Sequence, residues 1–206
     1  MNKEIRMFDF EVRAERDPRD LKSVLTGQPI VYNARTNLGW WDEIIEDGAL
    51  ADTDLKDVRF LINHNTDMIP LARSRNNNAS STMQMEVVDG VGMNIRVELD
   101  TENNADARSL YSAVERGDIS GMSFMFIVRD ESWDDVNSDH PTRHVRAIDK
   151  VLEVSAVTFP AYEQTSIQAR GLSDALESAR ASLESERARL AEIERKKQKI
   201  RILSED

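Results

Sequence analysis

Residues 83–99 restrict the fold most, because apolar and polar residues alternate on both sides of an Asp-Gly pair. Every second position is apolar over residues 83–87 and again over residues 91–99, with Asp89-Gly90 between the two runs. A period of two indicates a strand with one buried face, and Asp-Gly favours a tight turn. This segment therefore predicts a β-hairpin, which needs further strands against its apolar face.

Other stretches predict that the body is α+β and mainly β. Alternating or apolar runs indicate strands at residues 8–12, 25–33, 58–62, 119–126 and 145–159. Residues 105–116 predict an amphipathic helix, with Asn103 or Asn104 as N-cap and Gly117 as the stop. Residues 40–50 predict a short helical turn, and the acidic residues 130–144 predict a mobile surface loop.

Polar residues occur in two of these strands, where an ordinary strand does not need them. Alternation places Ser123 on one face with Gly121 and Met125, and Ser120 on the other face. Glu153 lies within an apolar run that is typical of a central strand, where an unpaired carboxylate is costly. A serine in such a strand more often bonds only to a neighbouring carbonyl, so these strands do not by themselves establish a site.

His64 lies where a buried strand ends and a polar loop begins. Taken by itself, this position favours a histidine that is hydrogen-bonded to a backbone carbonyl at the end of a strand. Together, His64, Ser123 and Glu153 are the groups that acyl transfer requires: a hydroxyl nucleophile, an imidazole base and a carboxylate that orients the base. His140 and His144 flank Pro141 in the acidic loop, a poor spacing for metal ligands.

Composition excludes several classes of function. The net charge is −11, and residues 1–171 hold 30 acidic against 19 basic residues, which argues against nucleic-acid binding. A metal-dependent nuclease using the acidic loop is disfavoured for the same reason. With no cysteine there is no disulfide or thiolate chemistry. No apolar leader or membrane span is evident, so we expect a soluble intracellular protein.

The residues from Leu172 to Leu203 differ from the body, because they contain neither Gly nor Pro and balance their charges. Their apolar residues fit a heptad seam: Leu176, Ala179, Leu183, Leu190, Ile193 and Ile200. We predict two parts, a domain at 1–170 and a coiled-coil-like helical tail at 171–206 that self-associates or binds a partner. The alternative is a solvated helix that packs on its own domain.

Several of these stretches, in this order, resemble the prohead serine proteases of tailed phages. They are Gly-Gln-Pro-Ile-Val-Tyr-Asn at 27–33, Trp-Trp-Asp-Glu-Ile-Ile-Glu-Asp-Gly-Ala-Leu at 40–50, Phe-Leu-Ile-Asn-His at 60–64, Pro-Leu-Ala-Arg at 70–73, Ser-Gly-Met-Ser-Phe-Met-Phe at 120–126 and Leu-Glu-Val-Ser-Ala-Val-Thr-Phe-Pro-Ala-Tyr at 152–162. The resemblance covers residues 27–165. This chain departs from the usual pattern at Ala72 and Met125, where the family usually has glycine.

The resemblance implies a small closed or partly open β-barrel with flanking helices, similar to herpesvirus assemblin, and a serine endopeptidase without a cofactor. It implies His64 and Ser123 as catalytic residues, with Glu153 at the acidic position. From the strand pattern we keep Ser120 as the reserve nucleophile, and we expect Ser155, on the face of Glu153, to support that carboxylate. The implied substrates are the major capsid protein, the scaffold and the chain itself, inside the immature procapsid in the host cytoplasm, with no nucleic-acid or membrane partner. The alternative is a catalytically inactive relative that serves assembly through its tail.

Overall fold

The structure is a computed structural model that describes residues 3–8, 12–17, 22–158 and 169–204. Within these residues the chain forms mainly strands, with one short and one long helix. The elements are β1 (Lys3–Phe8), β2 (Val12–Arg16), β3 (Ser23–Val31), β4 (Arg35–Asn37), β5 (Asp42–Ile45), β6 (Asp57–Ile62), β7 (Ala72–Arg75), β8 (Met83–Val88), β9 (Gly92–Leu99), α1 (Ala105–Glu115), β10 (Gly121–Asp134), β11 (Thr142–Val157) and α2 (Ala169–Ser204).

The described strands form two sheets that share one core. The larger sheet has the order β1-β10-β11-β5-β4, with β6 and β7 joined to the other half of β11, and the smaller one has the order β2-β3-β9-β8. Phe124 and Val154 of the larger sheet and Met93 and Val97 of the smaller one belong to one cluster of buried side chains. The predicted α+β, mainly β class is confirmed. Across the described strands, the two sheets are not closed into a barrel.

The hairpin and the first helix are confirmed. β8 and β9 pair antiparallel around Asp89-Gly90, and α1 begins after Asn104, whose side chain accepts hydrogen bonds from two backbone amides of the first turn. Gly92 opens β9 with φ 135°, and a Cβ there would lie 2.0 Å from the carbonyl oxygen of Ile30. Only glycine therefore fits at this position, where β9 begins its pairing with β3.

Predictions for two other segments, residues 40–50 and 130–144, were wrong over part of their length; residues 47–50 are turn and residues 135–141 are irregular. Residues 42–45 form strand β5, because pairing with β4 and β11 and burial of Ile45 outweigh the local helical pattern. The acidic segment is mostly strand, since β10 continues to Asp134 and β11 begins at Thr142. Arg143, only 1 % exposed, pairs there with Glu43 and Glu131 and so neutralises charges that appeared to need solvent.

Part of the C-terminal helix packs on the body. Ala179 and Leu183 of α2 lie in a buried cluster with Trp41, Trp133 and Val136. Further along the helix, the side chains of Leu190 and Ile200 are exposed and that of Ile193 is partly buried. The first part of the predicted seam is therefore used within the chain, as the alternative interpretation expected, and self-association of the remainder stays a prediction.

We expect stability to fall at acidic pH. The hydrogen bond from Arg73 lowers the pKa of Asp57 from 3.8, and the hydrogen bond from Arg96 lowers the pKa of Glu98 from 4.5. Both folded-state pKa values lie below the unfolded ones, so the two carboxylates stabilise the folded state fully above their unfolded pKa. This stabilisation is lost as the pH falls through the folded-state pKa values, below about pH 4. Urea unfolding at pH 7 and pH 3 measures this loss. Equal free energies of unfolding at the two pH values would contradict it.

Candidate active site

Three strands of the larger sheet converge on one polar cluster. β10 and β11 pair antiparallel, which places Ser123 opposite Ser155 and Met125 opposite Glu153. Side chains directly opposite one another, or two residues apart on one strand, share a face. Ser123, Ser155 and Glu153 therefore lie on the same face of the sheet, and Phe124 points to the core on the other face.

β6 delivers His64 to this face. β6 runs parallel to β11, with Leu61 opposite Ser155 and Ile62 opposite Ala156. The next residue, Asn63, donates its backbone N–H to the carbonyl of Ala156 at 3.0 Å, and then the chain turns. The C-terminal half of β11 and the end of β6 are thus held side by side.

The turn depends on two consecutive residues in the left-handed region. Asn63 has φ 51° and His64 has φ 55°, a conformation that costs most residues energy but that Asn and His adopt more readily than others. The Asn63 side chain fixes the turn, because its Nδ2 donates to Thr158 Oγ1 at 3.0 Å and its Oδ1 accepts from the Thr158 backbone N–H at 2.9 Å. The turn brings the His64 ring back over β10 and β11.

The three predicted residues form a continuous chain of contacts. His64 Nε2 lies 2.6 Å from Ser123 Oγ, and His64 Nδ1 lies 2.5 Å from Glu153 Oε1. The Ser123 residue is 0 % exposed and Glu153 is 2 % exposed, while the His64 side chain is 11 % exposed. A neutral imidazole that donates Nδ1–H to the carboxylate has its Nε2 lone pair free to accept the serine proton.

Ser155 bonds to two members of this chain. Its Oγ donates to Glu153 Oε2 at 2.6 Å and accepts the backbone N–H of His64 at 3.1 Å. Both carboxylate oxygens are therefore engaged, one by the imidazole and one by the serine. From the sequence we expected only that Ser155 supports Glu153; its contact with the His64 backbone requires the parallel pairing of β6 with β11.

The other predicted positions lie apart from the histidine. Ser120 precedes β10 and is exposed, and its carbonyl accepts the backbone N–H of Val12. Met125 is half-buried opposite Glu153, beside the cluster as the strand pattern predicted. Ala72, the second departure, is buried in β7.

The remaining histidines contact carboxylates elsewhere in the chain. His140 Nε2 lies 2.8 Å from Asp42 Oδ1, and the two ring nitrogens of His144 lie near Glu46 and Asp134. In the part of the chain that the structure describes, no group of three or more His, Asp or Glu side chains is placed to hold a metal ion. Over the same residues, no helix has the length and apolar character to span a membrane.

A serine, an imidazole and a carboxylate in this order supply what acyl transfer needs. Such groups are recognised by their mutual distances and roles rather than by their order in the sequence. Both distances here are within hydrogen-bonding range of a nucleophile to its base and of the base to the group that orients it. The cluster can therefore remove the proton of Ser123 as its oxygen forms a bond to a carbonyl carbon.

Comparison with protein-family models agrees with the resemblance found in the sequence. The family model of the caudovirus prohead serine protease matches residues 8–178, which is most of the chain. Among solved structures, the capsid assembly protease of bacteriophage T4 is similar at 13% sequence identity and a TM-score of 0.47, over 77% of this chain and 98% of that one. No curated protein matches in sequence. This chain belongs to the caudovirus prohead serine protease family.

Proposed function

We propose that this protein is the endopeptidase that cleaves capsid and scaffold proteins, and itself, while the phage head matures. The observation that carries the proposal is the contact of His64 with both Ser123 and Glu153, in a chain of this family. The work takes place inside the procapsid in the host cytoplasm, where enzyme and substrates are confined together. No cofactor is needed for this chemistry.

The first half of the reaction acylates the serine. Ser123 Oγ attacks the carbonyl carbon of the scissile bond while its proton passes to His64 Nε2. The imidazolium that forms is stabilised by Glu153, which accepts Nδ1–H throughout and stays ionised. When the tetrahedral intermediate collapses, the C–N bond breaks and Nε2–H protonates the leaving amine.

The second half restores the enzyme. A water molecule loses its proton to His64 Nε2 as its oxygen attacks the acyl carbon. The ester bond to Ser123 then breaks, Oγ takes the proton back, and a carboxylic acid leaves. The burial of Glu153 strengthens its interaction with the imidazolium, because the local dielectric constant is lower than that of water.

Active-site labelling tests the proposal directly. A fluorophosphonate probe phosphonylates an activated serine, so we expect one adduct per chain, mapped by peptide mass spectrometry to Ser123. His64→Ala should prevent the labelling, because the hydroxyl then has no base. Labelling of Ser120 in place of Ser123 would reassign the nucleophile, and an intact chain that cleaves capsid protein without labelling would contradict serine catalysis.

One observation favours a second function, that of an inactive relative acting as an assembly module. Met125 lies directly opposite Glu153, at a position where the resemblance leads us to expect glycine. A side chain there can crowd the substrate on the face of Ser123. Met125→Gly distinguishes the two functions: the variant gains labelling and cleavage if Met125 blocks the site, and changes them little if the wild type is already active.

We propose that the tail at 171–206 serves assembly, by self-association and by binding scaffold, as a part distinct from the protease domain at 1–170. The proposal rests on three apolar residues beyond the packed part of α2: Leu190 and Ile200, which are exposed, and Ile193, which is partly buried. They recur at heptad-like spacing on one side of the helix.

Removing this surface should abolish self-association. We expect the triple change Leu190→Gln, Ile193→Gln and Ile200→Gln to yield a monomer in sedimentation, because the apolar area that drives association is lost. Labelling of Ser123 should be unaffected, since the changes lie outside the cluster at Ala179 and Leu183. A wild type that is monomeric, or a variant that still associates, would contradict the proposal.

A further inference from the structure

We propose that Ser155 is a positioning residue that couples Glu153 to the backbone of His64, an inference that rests on the proposed serine catalysis. Ser155 touches neither the substrate nor the reacting atoms. It acts through two residues that are 91 and 2 positions away in the sequence and that meet only because β6 lies beside β11.

The first contact of Ser155 fixes the carboxylate. Glu153 presents Oε1 to the imidazole at 2.5 Å and Oε2 to Ser155 Oγ at 2.6 Å, so the plane of the carboxylate is held at both oxygens. A carboxylate held at one oxygen only can rotate about its last bond. The donated hydrogen bond also withdraws charge from the anion.

The second contact fixes the histidine. The His64 backbone N–H donates to Ser155 Oγ at 3.1 Å, at a residue whose φ of 55° is unfavourable. Without an acceptor there, this partly buried N–H is left unsatisfied, and the left-handed turn loses one of the bonds that hold it. A single hydroxyl thus sets both the direction of the base and the direction of the group that orients it.

A buried serine need not have any such role, and the chain contains an example. Ser74 in β7 is 0 % exposed, as is Ser155, but its Oγ makes no hydrogen bond among the described residues. Ser74→Ala is therefore a matched control: it removes a buried strand hydroxyl without removing a bond. The two alanine variants together separate loss of a hydroxyl from loss of this coupling.

The experiment compares Ser155→Ala, Ser155→Cys and Ser74→Ala in the full chain. We expect Ser155→Ala to lower kcat about 10- to 100-fold with KM little changed. This is the range seen when the hydrogen-bond partner of a metal-binding side chain is removed, which is the comparable case of a residue that orients another. The acid limb of the kcat/KM profile should move to higher pH, because a carboxylate without the Ser155 proton is more basic and holds the proton on His64 more firmly. In Ser155→Cys, whose thiol is a weaker donor, kcat and the acid limb should lie between those of the wild type and those of Ser155→Ala. Ser74→Ala should match the wild type.

A second readout does not depend on cleavage. The proton on His64 Nδ1, held between the ring and Glu153, should give a far-downfield NMR resonance whose titration midpoint rises in Ser155→Ala and not in Ser74→Ala. A resonance and an acid limb that stay unchanged in a folded Ser155→Ala variant, or that move to lower pH, would overturn the inference. If the wild type cleaves nothing but the resonance still moves as described, the proposed function fails and the coupling stands.

Discussion

Replacing Ser123 by alanine removes cleavage almost completely, with an expected loss in kcat of about 10⁴- to 10⁶-fold. The alanine has no oxygen to form the acyl intermediate. Among the described residues, the hydroxyl in contact with His64 Nε2 is that of Ser123, at 2.6 Å. His64→Ala should cost about as much, and the double variant little more, because nucleophile and base act as one unit.

Intact mass spectrometry over time measures this loss. The wild type should shorten itself on standing, and Ser123→Ala should keep its full mass. Ser120→Ala is the matched control, because Ser120 lies three residues away, is exposed and precedes β10. Fragments in the Ser123→Ala chain that disappear in Ser120→Ala would show that the nucleophile has been assigned wrongly.

Glu153→Gln should lower kcat about 10³- to 10⁴-fold while the cluster keeps its shape. The amide is close in size to the carboxylate, but its NH₂ group can face His64 Nδ1, at the 2.5 Å position now held by Oε1. The imidazole then presents a lone pair at Nδ1 and a proton at Nε2, the tautomer that cannot accept the proton of Ser123. The charge that stabilises the imidazolium is also lost.

Glu43→Gln is the control for burying an amide where a carboxylate was. Glu43, in β5, is 1 % exposed and pairs with Arg143 at 3.1 Å. Arg143 lies in the half of β11 that is remote from Glu153. Its loss leaves a buried guanidinium less well paired, so we expect a lower melting temperature with kcat retained. If Glu153→Gln lowered the melting temperature and left kcat as it is, Glu153 would be a structural charge only.

The local pattern carried enough information to find the three residues, but not to arrange them. Ser123 and Glu153 were conspicuous because each is polar in a strand of apolar neighbours, and His64 because it ends such a strand. Pairing register is a long-range property, so nothing near His64 in the sequence specifies that β6 lies parallel to β11. The sequence placed Ser155 beside Glu153, but the contact of Ser155 with the His64 backbone could not be predicted for the same reason.

The sequence alone determined the elements whose signals are local: the hairpin around Asp89-Gly90, the cap of α1 at Asn104 and the alternation that sorts β10 and β11 into two faces. Tertiary structure decided the rest. Residues 42–45 became strand because β5 pairs with two neighbours, and residues 130–134 and 142–144 of the acidic segment became strand because β10 pairs with β11, where Arg143 is paired with Glu43 inside the fold. Backbone hydrogen bonds and charges satisfied by distant partners outweigh local preferences of a few tenths of a kcal/mol per residue.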